Sequence, residues 1–158
     1  MRISLLEPIG VSQELIDELS APIRKAGHEF IYYPEKTTDP AELIRRSAGC
    51  EIVTIANNPY PDQVVEAADQ LKMLNVAFTG IDHVGLEACR AKGVQICNAA
   101  NYSNQTVAEL AIGMTIDLLR HMDEAQQRVH NGGTAAGLTG REIMGKTVGI
   151  IGTGRIGM

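Results

Sequence analysis

Five short apolar runs rich in β-branched residues recur through the first hundred residues with a helical segment after each, and this alternation limits the possible folds more than any other feature. Residues 2–6, 30–33, 51–56, 73–76 and 94–97 read as strands. After the first, Ser12 is placed to cap a helix that carries Leu15, Ile16 and Leu19 on one face, with Pro22 ending or kinking it. Asp39 followed by Pro40 opens a second helix, with Leu43 and Ile44 inward and Gly49 at its end. Helix signals return over residues 62–68 and 86–92, the latter stopped by Gly93. Strands in strict alternation with helices pair in parallel through crossovers. The expected class is therefore α/β, a flavodoxin-like doubly wound parallel five-stranded sheet.

The pattern then changes. Val107, Leu110, Ala111, Met114, Leu118 and Met122 repeat at intervals of three and four, which predicts one long helix from Asn104 to about His130. Asn131-Gly132-Gly133 breaks it, and a glycine-rich stretch leads to an apolar strand over residues 147–151. The expected organisation is a domain over 1–100, a connector helix over 101–130, and the start of a second domain over 131–158. Val148, Ile150 and Ile151 would lie in a strand with no partner strand among these residues, an association hazard.

Composition excludes several classes. The formal net charge is −5, and the densest basic pair, Arg45-Arg46, reads as a solvated helix face, so no nucleic-acid partner is expected. The first ten residues are too short in apolar character for a signal-peptide core or a membrane span, so a cytoplasmic protein without a membrane partner is expected. Cys50, Cys89 and Cys97 lack the spacing of a zinc site or a disulfide framework and read as buried free thiols, and no metal is expected.

In open parallel sheets ligands bind beyond the carboxyl ends of the strands. The loops worth naming are residues 8–10, Asn57-Asn58-Pro59-Tyr60, Phe78-Thr79-Gly80, and residues 98–103. None carries a basic residue, so a small anion would be held by backbone N–H groups and Asn side chains, with Gly80 permitting close approach. The same Asn, Pro and Gly residues also make ordinary turns. Directly after the strand over 147–151 stands Gly152-Thr153-Gly154-Arg155-Ile156-Gly157, a G-x-G-x-x-G in the position of a dinucleotide fingerprint. Of the histidines only His83 lies near a ligand loop, and its neighbour Asp82 reads as the cap of the helix at Leu86 or a support of the loop.

Four stretches, taken in order, carry a resemblance. They are residues 71–74, residues 78–88 with Thr79-Gly80-Ile81-Asp82-His83, residues 106–111, and residues 145–157. Together they resemble the D-isomer-specific 2-hydroxyacid dehydrogenases, the family of D-lactate, D-glycerate and phosphoglycerate dehydrogenases and glyoxylate reductases. The resemblance implies NAD(P)-dependent oxidation and reduction between a small D-2-hydroxy acid and its 2-oxo acid, with NAD the default cofactor. It implies substrate contacts at Thr79 and Gly80 and, more loosely, at Asn57 and Asn58. It implies cofactor contacts at Thr79, Gly152, Gly154, Arg155, Ile156 and Gly157, and a homodimer through the long helix. The family's catalytic Arg, Glu and His match nothing in these 158 residues, so no catalytic residue is assigned. The chain is expected to be a truncated amino-terminal part, inactive alone; the alternative is a non-catalytic binding or oligomerisation module on the same fold. Gly85 stands where the family commonly has an acidic residue, which leaves the cap of the following helix open.

Overall fold

The computed structural model describes residues 1–158, which divide into two compact units, Met1–Ala100 and Asn101–Met158. The first unit is an open sheet of five parallel strands in the order β2-β1-β3-β4-β5. The strands are β1 (Arg2–Leu5), β2 (Glu29–Tyr32), β3 (Ile52–Ile55), β4 (Met73–Val76) and β5 (Gln95–Asn98). The intervening helices are α1 (Gln13–Lys25), α2 (Pro40–Ser47), α3 (Asp62–Ala67) and α4 (Leu86–Lys92). This is the flavodoxin-like order, and the chain reverses direction in the sheet between β1 and β3. The fold class expected from the alternation is the one observed.

The core lies against one face of the inner strands, where every second residue is fully buried. Val53, Ile55, Leu74 and Val76 are fully buried in the two central strands, and Leu43, Val64 and Val65 cover them from α2 and α3. Local signals fixed the helix ends. Leu15 N–H donates to Ser12 Oγ at 3.3 Å, Ala41 N–H donates to Asp39 Oδ1 at 3.2 Å, and Gly93 closes α4 at φ +69°.

Two local expectations of the first unit are corrected here. Pro22 does not end α1, which runs on to Lys25, and Ala26 N–H donates to the Pro22 carbonyl at 3.0 Å. Arg46 is not on a solvated face. Arg45 is exposed, but Arg46 is buried, donating to the Leu6 carbonyl at 3.0 Å and the Glu35 carbonyl at 2.6 Å, with its guanidinium 4.7 Å from the centre of the Tyr33 ring. Both arginines bond Glu42, and these bonds, Arg45's first, hold its carboxyl down at about 2.

In the second unit the long helix is two helices, α5 (Asn104–Arg120) and α6 (Met122–His130). His121 separates them in the left-handed conformation at φ 54°, and Asp123 N–H at the new start takes Asp117 Oδ1 at 3.0 Å. Spacing alone could not show the break, because the apolar repeat runs across it. Residues 147–151 form no strand. A strand exists only as part of a ladder, and the second unit has no other strand to pair with. Val148, Ile150 and Ile151 are accordingly exposed. No helix of the chain is long and apolar enough to cross a membrane.

Candidate functional site

The loops that leave β3, β4 and β5 lie at the carboxyl edge of the sheet and are tied to one another by main-chain bonds. Tyr60 N–H donates to the His83 carbonyl at 2.8 Å, and Gly85 N–H donates back to the Tyr60 carbonyl at 2.8 Å. This makes an isolated parallel bridge between Tyr60 and Val84. Asn98 Nδ2 donates to the Thr79 carbonyl at 2.7 Å, and Thr79 Oγ1 donates to the Ala99 carbonyl at 3.4 Å. The bridge extends the pairing of neighbouring loops past the strand ends, so the edge is held without long side chains. Tyr60 itself is a core residue; its hydroxyl donates to Ser47 Oγ at 2.9 Å, and burial pushes it up to about 12.

The expected site residues differ in exposure. Asn57 is exposed at the loop tip, and Thr79 and Gly80 are half-buried. Asn58 is fully buried, and neither Nδ2 nor Oδ1 of its side chain has a hydrogen-bond partner. A Cβ at Gly80 would meet only the Asp82 side chain, at 3.4 Å, so packing within the chain does not demand glycine there.

The cap expected from Asp82 is supplied elsewhere. α4 begins at Gly85 with no capping side chain of its own, and Ala88 N–H instead donates to Oδ1 of Asp62, the first residue of α3, at 3.3 Å. A Cβ on Gly85 would stand 2.5 Å from Asp62 Oδ1 and 2.6 Å from Asp62 N. The residue at 85 must therefore be glycine, and the carboxylate comes from the neighbouring helix. This resolves the departure at position 85 seen in the sequence. His83 Nε2 is buried and without a partner, so it does not serve as an exposed base in this geometry.

Sequence reasoning passed over Glu7. Its side chain is 2% exposed, and its Oε1 accepts from Ala56 N–H and Asn58 N–H, both at 2.7 Å. Lys36 Nζ is 3.9 Å from its other oxygen. The available signal was a charged residue directly after the first apolar run, set before Pro8.

In the second unit Gly152 adopts φ +102°, and a Cβ at Gly157 would overlap the Gly152 carbonyl. Gly157 N–H and Met158 N–H both donate to the Gly154 carbonyl at 3.1 Å. The loop thus folds back on itself in a way that two of its glycines are needed to allow, while Gly154 has open space around it and Arg155 is exposed. No strand precedes this loop and no helix follows it in the second unit, so the strand-loop-helix frame of a dinucleotide fingerprint is not formed here.

An open doubly wound parallel sheet with its loops bonded together at the carboxyl edge defines a broad class of α/β proteins. The family model described as "D-isomer specific 2-hydroxyacid dehydrogenase, catalytic domain" matches residues 3–149, and the chain belongs to that oxidoreductase family. It is 33% identical over 150 residues to a D-3-phosphoglycerate dehydrogenase of Haemophilus influenzae, covering 94% of this chain and 36% of the relative. It is 36% identical over 122 residues to a glyoxylate/hydroxypyruvate reductase of Arabidopsis thaliana, covering 75% of this chain and 38% of that protein. Among solved structures, the NAD-dependent formate dehydrogenase of Staphylococcus aureus in complex with NAD superposes with a TM-score of 0.85 at 26% identity, covering 99% of this chain and 51% of that one. The chain thus spans about a third to a half of the length of these relatives.

Proposed function

We propose that residues 1–100 bind the carboxylate of a small D-2-hydroxy or 2-oxo acid, in a protein that transfers hydride between carbon 2 of that acid and NAD. The observation that carries this reading is the bonded edge formed by the loops after β3, β4 and β5, with Asn57, Thr79 and Gly80 on its accessible parts. These loops hold no Lys or Arg, so the N–H groups of Thr79 and Gly80 and the Asn57 amide would orient the acid. Gly80, which internal packing does not require, leaves room for that approach. The Gly152–Gly157 loop would hold the cofactor pyrophosphate, with Arg155 and Ile156 beside it. NAD supplies the hydride chemistry when bound.

The 158 residues by themselves bind without turning substrate over, because no Arg, Glu and His set of the family is matched among them. The homodimer belongs to the same reading. Leu110, Met114 and Leu118 are exposed at intervals of four along α5, an apolar stripe suited to a second copy of the helix.

Titration of the isotopically labelled chain with oxamate, an unreactive 2-oxo acid mimic, tests the substrate site. The amide resonances of Asn57, Thr79 and Gly80 are expected to shift while those of Arg2, Glu29 and Glu51, at the opposite edge, stay still. Shifts spread evenly over both edges, or none, would refute the assignment.

A further inference from the structure

In the parallel ladder between β1 and β3, Leu6 N–H donates to the Thr54 carbonyl at 3.0 Å, and the next bond in sequence would run from Ala56 N–H to the Leu6 carbonyl. That bond is not made. The Leu6 carbonyl accepts from the buried Arg46 guanidinium instead, at 3.0 Å. Ala56 N–H turns to Glu7 Oε1, and Asn58 N–H joins it on the same oxygen. The chain after β3 is therefore folded around a carboxylate from the neighbouring strand, with exposed Asn57 between the two anchored residues.

We propose that Glu7 is a positioning residue for the substrate loop, and that its single oxygen Oε1, rather than the strand ladder, fixes where Asn57 presents its amide. This rests on the reading that Asn57 faces the acid. Three points support it. The carboxylate is buried and its bonds are short, so they are charge-assisted and poorly replaced by water. The loop has no substitute anchor on this side, since Asn58 makes no side-chain hydrogen bond. Lys36, half-exposed and 3.9 Å from Oε2, offsets a negative charge that would otherwise repel an anionic ligand at the same edge.

Because both bonds end on Oε1, charge and anchoring separate by substitution. Glu7→Gln keeps an acceptor oxygen for both N–H groups and loses the charge; Glu7→Ala loses both. Amide hydrogen exchange of the chain reads the anchor directly. In Glu7→Ala, exchange at Ala56 and Asn58 is expected to quicken by about tenfold or more relative to Val76 and Ile96, whereas Glu7→Gln keeps most of the protection. Oxamate titration reads the consequence. Its dissociation constant, followed at Thr79 and Gly80, is expected to rise about tenfold in Glu7→Ala and to stay within about twofold in Glu7→Gln.

Equal acceleration across every strand in Glu7→Ala, or a Glu7→Gln chain that behaves like Glu7→Ala in exchange, would overturn the anchor. Unchanged oxamate affinity in Glu7→Ala despite local acceleration would overturn the positioning role. If oxamate moves no resonance in the unsubstituted chain, the substrate reading fails and with it the positioning role, while the exchange data decide the anchor separately.

Discussion

Residues 1–100 and residues 101–158 use similar apolar content in opposite ways. Every buried residue of the chain belongs to the first unit, and both α5 and α6 of the second contain none. The first unit satisfies strands with strands and loops with buried charges such as Glu7 and Arg46. The second holds local helices and turns, and its apolar side chains face outward. Helices close their hydrogen bonds within themselves, so α5 and α6 form without partners, whereas the apolar segment 147–151 cannot become a strand alone. The contrast separates what the chain stabilises by itself from what it offers to something else.

The largest effect should come from the centre of the first unit. Leu74 is fully buried in β4, and Leu74→Ala should cost about 2–5 kcal/mol in urea unfolding. A loss below about 1 kcal/mol would mean that the sheet is loosely packed and that the contrast between the units is overstated.

Tyr60 gives the same core a pH signature. Its folded pKa lies above its unfolded value, so the stability it contributes is intact below pH 10 and is lost as pH rises toward about 12. The rise from 10.0 to about 12 corresponds to a loss on the order of 3 kcal/mol. Tyr60→Phe should flatten that alkaline limb while giving up the bond to Ser47, about 1 kcal/mol at neutral pH. An unchanged alkaline limb in the variant would place the titration elsewhere.

Gly85 probes the seam between α3 and α4. Gly85→Ala places a methyl group against the Asp62 backbone and should cost about 1–3 kcal/mol by thermal or urea unfolding. Asp62→Asn, which keeps Oδ1 for Ala88 N–H, should cost less. The reverse order would show that charge at the cap matters more than the space.

Much of this was legible in the sequence because it was local. Ser12, Asp39 and Gly93 act on their own helices, and the β-branched runs stand out as apolar segments between them, so the strands and their order of appearance could be read directly. The tips of the candidate loops were legible for the same reason: they follow the strands. What could not be read depends on partners distant in sequence. Asp62 caps a helix 26 residues away, and Glu7 reaches 49 and 51 residues to Ala56 and Asn58. Arg46 looked solvated because its charge was visible and the Leu6 carbonyl, 40 residues off, was not. The strand expected over 147–151 failed by the same logic, since its apolar pattern states a capacity to pair and says nothing of a partner.

The smallest expected effect tests the other half of the comparison. Leu118 is 74% exposed on α5, and its side chain loses little contact with water when the unit forms. In a dilute, monomeric sample Leu118→Ala should therefore change unfolding stability by no more than about 0.5 kcal/mol. Alanine also favours a helix slightly, which pushes the change toward zero or a small gain. If a second copy covers the helix, the cost should grow with protein concentration, because association then adds to apparent stability and the substitution removes apolar area from that contact. Light scattering and unfolding measured across the same concentration range distinguish the two regimes. A loss above 1 kcal/mol that does not vary with concentration would mean that α5 is already covered within its own chain, and the difference between the two units would fall with it.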